Sequence, residues 1–220
     1  MKRKRAAILI SGRGSNMRAL IKAAQAADFP AEITLVLSNS ADAGGLAFAR
    51  AAGIAAEVIE HHAFGKDRAA FDAAMHDALT AHATEIVCLA GFMRLLTAAF
   101  CDRWLGRIIN IHPSLLPSFK GLGTHTRALE AGVRVHGCTV HFVTPGMDEG
   151  PVIAQAAVAV LPGDTQDTLA ARVLEQEHQI YPIALAALAS GALTLTGGRV
   201  TYQNTGTAGA ALISPWTVRT

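Results

Sequence analysis

The chain has 220 residues, of which 51% are hydrophobic and 16% are charged, and its formal net charge at pH 7 is +2. This balance is typical of a globular protein and excludes both an intrinsically disordered chain and a strongly basic protein that coats nucleic acid. The length predicts a single domain over residues 1–220, with a core of about 7–191 and a C-terminal hairpin and tail at 192–220.

Targeting, disulfide and metal signals are weak in this sequence. The apolar run AAILI near the N-terminus ends at Ser11 and is too short for a signal peptide or a membrane span. The cysteines, Cys88, Cys101 and Cys138, are odd in number and form no CxxC pair, which fits a reducing compartment. The histidines form no HExxH pattern. We therefore expect a cytoplasmic protein without disulfides or metal that contacts neither membrane nor nucleic acid.

Strands and helices alternate in the first half of the chain. Residues 6–10 form an apolar run that breaks at SGRGSN, and the next segment has apolar residues at helical spacing. A second buried strand begins at Glu32, and a helix follows with Asp42 as its N-cap and Gly53 as its stop. Another helix is predicted over 66–83, before EIVCLAGF, whose continuous apolar character is typical of a strand covered on both faces. This pattern indicates a parallel sheet.

The second half adds strands that could run parallel or antiparallel to the first ones. A short helix near 97–104 leads to the strand RIINI, and a Pro-rich loop and a helix near 124–132 follow. HGCTVHFVT alternates with a period of two, and PVIAQAAVAV is predicted to form another strand. A helix over 165–190 ends at Gly191, and LTLTGGRVTY predicts a hairpin. We predict an α/β fold with a doubly wound, mostly parallel and partly mixed sheet flanked by helices.

The loop SGRGSN, residues 11–16, lies where a doubly wound sheet binds ligands, at the carboxyl end of a strand. Its glycines allow close backbone approach and the following helix N-terminus favours an anion, so phosphate is the expected ligand. NAD is disfavoured because Met17 replaces the third fingerprint glycine and the second strand ends in Ser38-Asn39 rather than an acid. ATP is disfavoured because no GK[ST] sequence is present. A tight turn without a ligand is the alternative.

The stretch IINIHPSLLPSFKG places Asn110 and His112 where a strand is ending. Asn supplies a donor and an acceptor, and a His two residues later can point toward the same cleft, so together they suit carbonyl chemistry. Pro113 and Pro117 stiffen the loop that follows and could hold these side chains near a productive geometry. The alternative is a hydrogen-bonded Asn at a strand end beside a surface His.

Two further loops could complete a site. AGFMRLL, residues 90–96, could supply the apolar wall of a cleft for a flat ring, with hydrophobic core as the alternative. Asp148 lies in the Gly/Pro-punctuated loop VTPGMDEGPVI, where a carboxylate is often only a turn former. Next to a His, however, a carboxylate stabilises the imidazolium and makes the ring a general acid. Because neither GxSxG nor an activated cysteine is present, a covalent enzyme intermediate is not expected.

The motifs SGRGSN, AGFMRLL, NIHPSLLPSFKG, HGCTVHFVTPGMDEGPVI and QEHQIYP closely resemble, in content and order, the folate-dependent formyltransferases that act on phosphoribosylglycinamide in purine synthesis. The resemblance runs from about Ala7 to Gly191. It implies a Rossmann-like formyltransferase fold, with 10-formyltetrahydrofolate as formyl donor and co-substrate and 5-phosphoribosylglycinamide as acceptor. It also implies that metal, NAD and ATP are not needed, and that the protein is a monomer or a homodimer.

The resemblance assigns roles to individual residues. It implies a catalytic unit in which Asn110 and His112 meet a developing oxyanion and Asp148 keeps His112 charged. It implies contacts to the ribonucleotide and its phosphate from Gly14, Ser15, Asn16, Leu174, Glu175, Gln176 and Glu177, with Glu177 as the expected ribose ligand. It implies contacts to the formyl-folate from Arg68, Met93, Arg94, Leu95, Leu96, Asn110, Thr144, Pro145, Gly146, Met147 and Asp148.

The chain departs from the family pattern at Gly123, where members of the family resembled carry a His, although His125 is retained. A proton role for that position is therefore not expected. Methionyl-tRNA formyltransferases and formyltetrahydrofolate hydrolases share the Asn, His, SLLP and Asp framework, but they carry an additional domain for which we expect no room. A non-catalytic phosphosugar-binding module of the same fold is the alternative of a different class.

Overall fold

The computed structural model describes residues 2–203, and its strands and helices alternate along most of the chain. The strands are β1 Lys4–Ile10, β2 Ala31–Ser38, β3 Ala55–Val58, β4 Ile86–Leu89, β5 Ile108–His112, β6 Val135–Phe142, β7 Val152–Ala159, β8 Leu193–Thr196 and β9 Arg199–Tyr202. The helices are α1 Ser15–Ala24, α2 Gly45–Ala51, α3 Arg68–Ala81, α4 Ala98–Arg103, α5 Thr124–Glu130 and α6 Gln166–Ser190, and a 3-10 turn spans His61–Phe64.

The large sheet has the strand order β3-β2-β1-β4-β5-β6-β7. The strands from β3 to β5 run parallel, whereas β6 runs antiparallel to both β5 and β7. The prediction of a doubly wound, mostly parallel and partly mixed sheet is therefore confirmed. The winding reverses between β1 and β4, and such a reversal opens a crevice at the carboxyl ends of the strands.

Both faces of the sheet are covered because successive residues of its central strands enter different cores. In β1, Ala6, Ile8 and Ile10 belong to one hydrophobic core, and Ala7 and Leu9 belong to the other. Helices α1, α2 and α6 pack on the first core, and α3 and α4 pack on the second. A strand that is buried on both faces needs a continuous apolar run, as the sequence has at this position.

Helix α6 connects the first core to two adjacent strands, β4 and β5. Tyr181, which is fully buried on this helix, places its hydroxyl 2.9 Å from the carbonyl oxygen of Leu89 and 3.1 Å from that of Ile109. Leu89 is the last residue of β4, and Ile109 is the residue of β5 that precedes Asn110. The helix ends before Gly191, at φ +75°, as predicted. Helix α6 therefore holds together the two strands, β4 and β5, that lead into the candidate site.

Helix α2 begins later than the sequence predicts. Its first residue is Gly45 and its N-cap is Gly44, so the prediction that Asp42 caps this helix is wrong. The amide of Gly45 donates to the carbonyl of Gly12 at 3.1 Å, and a Cβ at position 45 would lie 2.6 Å from the side chain of Ile10. The contact with the loop after β1 therefore sets the start of α2. The short edge strand β3 was also not predicted.

The C-terminal hairpin is confirmed within the described residues. Strands β8 and β9 pair antiparallel, and Gly197 and Gly198 both have positive φ at the turn. The hydroxyl of Tyr202 donates to the carbonyl of Ile153 at 2.6 Å, which ties the hairpin to β7. Residues 204–220 of the predicted tail lie outside the described residues. The predicted extent of the domain, 1–220, therefore stays a prediction.

Candidate active site

Two clefts lie side by side at the carboxyl ends of β1, β4 and β5. The first, of about 250 Å³, is lined by residues 11–16 after β1 and by Ala90, Gly91 and Met93 after β4. The second, of about 130 Å³, is lined by residues 92 and 94–96, by Asn110 and by the loop 143–148, among others. The segment after β4 thus contributes to the walls of both clefts, so ligands in the two clefts would be neighbours.

The first cleft contains the N-terminus of α1. Gly14 is the N-cap of this helix at φ +71°, a left-handed conformation that favours glycine. Because glycine has no side chain, the helix has no side-chain capping bond. The first amides of α1, beginning at Ser15, have no partners within the helix. Together with the helix dipole, these amides make the cleft suitable for an anion such as a phosphate.

Asn16 and Glu177 form a buried pair beside the first cleft. Nδ2 of Asn16 donates to Oε2 of Glu177 at 2.6 Å, and both residues are less than a tenth exposed. Burial raises the pKa of Glu177, and the hydrogen bond from Asn16 opposes this effect. Within residues 2–203, Oδ1 of Asn16 has no hydrogen-bond partner. Because Asn16 lines the cleft, the pair is placed to bind the hydroxyl groups of a ligand.

His112, at the end of β5, lies between two oxygen atoms from different loops. Its Nδ1 is 3.4 Å from Oδ2 of Asp148, and its Nε2 is 3.1 Å from the carbonyl oxygen of Phe119. The same Asp148 oxygen accepts a hydrogen bond from the amide of Gly121 at 2.8 Å. Only an imidazolium can donate from both ring nitrogens. Both ring nitrogens of His112 therefore face oxygen acceptors, and Asn110 lies two residues before it on the same strand.

The loops around His112 each contain a non-glycine residue with positive φ. Phe119 and Asp148 both have φ of 54°. Such conformations are uncommon, although Asp tolerates them better than most residues because its short polar side chain can bond locally. They direct the carbonyl of Phe119 and the carboxylate of Asp148 toward the same ring. The backbone thus holds an unfavourable conformation at the point where it positions His112.

His141, on β6, joins this cluster although no sequence motif indicated it. It is the direct cross-strand partner of Asn110, and Nδ2 of Asn110 lies 3.2 Å from Nε2 of His141. Nδ1 of His141 lies 2.8 Å from the carbonyl oxygen of Phe142. Burial lowers the pKa of His141 and outweighs the Phe142 carbonyl and Asp148, which act in the opposite direction. In the sequence it stood among other polar residues of this strand, His136 and Thr139, so nothing singled it out.

The wall of the second cleft is held from behind by α3. Arg68 donates from Nη2 to the carbonyls of Leu95, at 2.9 Å, and Leu96, at 3.3 Å. One turn further along the helix, Asp72 accepts a hydrogen bond from the amide of Thr97 at 2.7 Å. Arg68 is not among the residues that line the cleft. In this structure it therefore positions the wall rather than forming part of it.

The structure brings together most of the predicted binding residues. The first cleft contains Gly14, Ser15, Asn16 and Met93. The second contains Arg94, Leu95, Leu96, Asn110, Thr144, Pro145, Gly146, Met147 and Asp148. Leu174, Glu175 and Gln176 line neither cleft, whereas Glu177 contacts Asn16. Because a helix turns by about 100° per residue, four consecutive residues of α6 cannot all face one cleft.

Polar side chains of β6 and β7 hold the Pro-rich loop after His112. The hydroxyl of Thr139 donates to the carbonyl of Ser114 at 2.6 Å and accepts from the amide of Leu116 at 3.0 Å. Nε2 of Gln155 lies 2.9 Å from the carbonyl of Leu116 and 3.0 Å from the Thr139 hydroxyl. This network fixes the first part of the loop whose later residues, Phe119 and Gly121, contact the catalytic candidates.

Gly123 occupies the N-cap of α5 at φ +67°, a conformation that glycine adopts more readily than histidine. Two residues later, the ring of His125 lies 5.3 Å from that of His136. Burial is the main cause that lowers the pKa of both rings, that of His136 to about 4. Across residues 2–203, no group of three or more His, Cys, Asp or Glu side chains is arranged to hold a metal ion.

A family model described as formyl transferase matches residues 4–185. The chain belongs to the formyl transferase family. The resemblance drawn from the motifs is therefore confirmed, and so is the formyltransferase fold. A family match over most of the sheet and helices also explains why the anion loop, the apolar wall and the Asn110–His112 pair occur together in one chain.

Individual formyl transferases show how far the similarity extends. Phosphoribosylglycinamide formyltransferase of Escherichia coli is 47% identical over 86% of this chain and 88% of its own length. The crystal structure of phosphoribosylglycinamide formyltransferase from Brucella melitensis is 58% identical, with a TM-score of 0.82 over 86% of this chain and 97% of that one. The trifunctional purine biosynthetic protein adenosine-3 of Bos taurus is 50% identical over 91% of this chain, which spans 20% of its length.

Proposed function

We propose that this protein transfers the formyl group of 10-formyltetrahydrofolate to the glycinamide amine of 5-phosphoribosylglycinamide, in purine biosynthesis. The observation that carries the proposal is the cluster of Asn110, His112 and Asp148 beside an anion-binding loop and an apolar cleft. The reacting amine, the phosphate and the pterin of the two substrates match the cluster, the loop and the cleft, respectively. The high identity to relatives named phosphoribosylglycinamide formyltransferase supports the same reaction.

The ribonucleotide binds in the first cleft. Its phosphate accepts hydrogen bonds from the amides at the start of α1, around Gly14, Ser15 and Asn16. Its ribose hydroxyls bind to Glu177, which Asn16 holds beside the cleft. Because the cleft also contains the start of the segment after β4, the glycinamide arm can extend from there toward Asn110.

The formyl-folate binds in the second cleft. Its pterin ring packs against Leu95 and Leu96, and polar backbone groups of the loop 143–148 can bond its ring nitrogens. Arg68 holds this wall through the carbonyls of Leu95 and Leu96. The formyl group then lies beside Asn110 and Asp148, which line the same cleft. In this arrangement the donor and the acceptor meet at the end of β5.

The amine attacks the formyl carbon directly, and the formyl oxygen becomes negative in a tetrahedral intermediate. Asn110 donates a hydrogen bond to this oxygen, and a single such donor is typically worth ~2.7–4 kcal/mol of the barrier. His112, held as an imidazolium by Asp148, donates from Nε2 after exchanging the Phe119 carbonyl for the substrate oxygen. Asp148 relays the proton lost by the amine through water. The bond between the formyl carbon and N10 of the folate then breaks, N10 takes up the proton lost by the amine, and the N-formyl ribonucleotide and tetrahydrofolate leave as products.

No metal, NAD or ATP takes part in this proposed reaction, because formyl transfer is neither a redox step nor an activation of free formate. The protein acts in the cytoplasm as a monomer or a homodimer. No helix between residues 2 and 203 has the length and apolar character to cross a membrane. Neither nucleic acid nor membrane is a partner in the proposed activity.

The test follows the absorbance of the folate product with purified protein and both substrates, omitting each substrate in turn. We expect turnover only when both are present. Asn110→Ala lowers kcat by about 10²–10³, the effect of one oxyanion donor, and His112→Ala lowers it by about 10²–10⁴, the range for general acid catalysis. Asp148→Asn also lowers kcat, whereas His62→Ala, a change at an exposed histidine, leaves it unchanged.

Other outcomes would identify other functions. Turnover of the formyl-folate without the ribonucleotide would make the protein a hydrolase. A folded protein without turnover, but with affinity for the ribonucleotide, would leave a phosphosugar-binding module. Equal rates in the wild type and in His112→Ala would contradict the role of His112, even if formyl transfer itself were observed.

A further inference from the structure

The hydrogen bonds of His141 specify which of its nitrogens carries a proton. Its side chain is 3% exposed, and its Nδ1 lies 2.8 Å from the carbonyl oxygen of Phe142. A carbonyl oxygen can only accept, so Nδ1 is the donor in this bond. If the ring is neutral, Nε2 then carries a lone pair.

The neutral form fits the surroundings of this ring. Burial disfavours the charge and lowers the pKa of His141, and the nearby His112 acts in the same direction. Asp148 would favour a charged ring, but its Oδ1 is 3.8 Å from Nε2, too long for a hydrogen bond. The other oxygen of Asp148 is already bonded to Gly121 and faces His112.

A lone pair on Nε2 determines the orientation of the Asn110 amide. Nδ2 of Asn110 lies 3.2 Å from Nε2 of His141 and can donate to it. In the flipped amide, Oδ1 would face that lone pair and both atoms would be acceptors, which is repulsive. Because Nδ2 carries two hydrogens, one remains for a ligand after the bond to His141 has formed.

We propose that His141 is a positioning residue that selects one orientation of the Asn110 amide, so that the second hydrogen of Nδ2 faces the formyl oxygen. The inference deepens the proposed function and rests on it for the identity of that oxygen. His141 does not touch the reacting atoms or transfer a proton. It acts as an acceptor from β6 to its cross-strand partner on β5.

The position of Gly150 helps to preserve this arrangement. A Cβ at position 150 would lie 1.7 Å from the carbonyl oxygen of Phe142 and 3.4 Å from Nδ1 of His141. The chain after Asp148 can therefore lie against this carbonyl only because residue 150 is glycine. The amide of Phe142 also donates to the carbonyl of Pro151 at 2.9 Å, which holds the backbone of the same residue against the chain after Gly150.

The first test is a ¹⁵N NMR spectrum of the histidine rings in the unaltered protein at neutral pH. The expected result is a neutral His141 with hydrogen on Nδ1 and a lone pair on Nε2, identified by the signals that disappear in His141→Gln. A hydrogen on Nε2, in either a neutral or a charged ring, would overturn the proposal. This measurement needs no turnover, so an inactive protein would refute the proposed function without deciding the role of His141.

The second test compares variants that differ in whether they can accept from Asn110. His141→Gln offers an oxygen acceptor and is expected to retain most of kcat. His141→Leu offers none and is expected to lower kcat by at most the roughly 10²–10³ that one oxyanion donor provides, with KM for both substrates unchanged. The double variant Asn110→Ala/His141→Leu is expected to be no slower than Asn110→Ala alone.

Two kinetic results would contradict the proposal. One is an additive loss in the double variant, which would mean that His141 acts independently of Asn110. The other is an equal loss in His141→Gln and His141→Leu while urea unfolding shows both to be folded. If His141→Leu does not fold, the ring spectrum and the kcat of His141→Gln still decide between the outcomes.

Discussion

At the scale of single residues, burial determines which groups near the clefts carry charge. Glu177 and His141 are both buried, and burial raises the pKa of Glu177 and lowers the pKa of His141. Both shifts favour the neutral form of the side chain. His112, in contrast, faces the carboxylate of Asp148 with one ring nitrogen and the carbonyl oxygen of Phe119 with the other. These two rings differ in their partners and not in their sequence context.

Glu177→Gln is predicted to stabilise the protein while weakening ribonucleotide binding. The raised pKa means that the charged carboxyl is disfavoured in the folded state, so the wild type loses stability as pH rises from the unfolded pKa through the folded one. The amide cannot ionise, and its oxygen can still accept from Asn16. The free energy of unfolding in urea should therefore increasingly favour the variant as pH rises above about 4.3. A difference that does not change with pH would contradict this explanation.

The sequence predicted Asn110, His112 and Asp148 as one unit, but it could not predict the contacts of His141. The short spacing of Asn110 and His112 and the strand end before them are local features. The pairing of Asn110 with His141 depends on the register between β5 and β6, which is a tertiary property. The same reason explains Glu177, which could be assigned to the anion loop only by resemblance, since 161 residues separate it from Asn16.

At the scale of elements, the antiparallel strands β6 and β7 hold the Pro-rich loop after His112. Thr139 on β6 and Gln155 on β7 are register partners, and both bond the backbone of Leu116. The parallel part of the sheet supplies Asn110 and His112, while the antiparallel part supplies the groups that hold the loop after them. The mixed character of the sheet is therefore part of how the site is built.

Gln155→Met is predicted to lower both stability and kcat. Methionine has a similar length but cannot donate, so the carbonyl of Leu116 loses a partner, at a cost of about 1–3 kcal/mol for a buried group left unsatisfied. Loosening the loop also misplaces the carbonyl of Phe119 and the amide of Gly121. Urea unfolding and steady-state kinetics check both effects, with Gln25→Met at an exposed position as the control. Full activity in a destabilised variant would show that the loop does not depend on this network.

Local patterns were sufficient where a segment has a continuous apolar run or a glycine stop, and they failed where it has neither or where a distant contact sets its start. Apolar runs and glycine stops predicted β4, β5, α6 and the final hairpin. Strand β3 has four residues, none of them fully buried, so its alternation is too short to recognise. Helix α2 starts where Gly45 meets Gly12 rather than at the capping residue Asp42, because a tertiary contact outweighs the capping preference.

At the scale of the whole molecule, α6 connects the most distant parts of the fold. It packs against β6 and β7, contacts α1 and α5, and places Glu177 against Asn16 and Tyr181 against the backbone of β4 and β5. Its N-terminus is fixed by Asp164, whose carboxylate accepts two hydrogen bonds from Arg172, at 2.8 and 2.9 Å, and a third from the amide of Leu161. Displacing this helix would affect both clefts.

Asp164→Asn is predicted to lower the free energy of unfolding by about 1.5–3 kcal/mol near neutral pH, the range for hydrogen bonds to a charged group. The Arg172 guanidinium holds the pKa of Asp164 well below its usual range. The stabilisation is therefore complete above the unfolded pKa and is lost as pH falls through the folded one. Urea unfolding from pH 7 down to pH 3 should show the two proteins beginning to converge below about pH 3.9, because the unfolded wild-type chain then binds a proton that the folded carboxylate does not.

Asp167→Asn is the matched control for this prediction. Asp167 is exposed in the first turn of the same helix, so its removal costs only the interaction with the helix dipole, about 0.3–1 kcal/mol. Equal losses in the two variants would indicate a general charge effect at this end of the helix. They would contradict a specific role for the pair of Asp164 and Arg172.

The left-handed backbone at Asp148 affects how substitutions there should be interpreted. With φ at 54°, the backbone at position 148 disfavours most side chains, whatever their role in proton transfer. Asn and Gly are the residues that share this conformational range. Alanine would remove the carboxylate and also force the backbone to rearrange, so its rate loss would combine two causes. Asparagine preserves the turn and removes only the charge. Position 148 therefore carries two requirements, a backbone conformation and an acidic side chain. An aspartate conserved there would not by itself demonstrate catalysis.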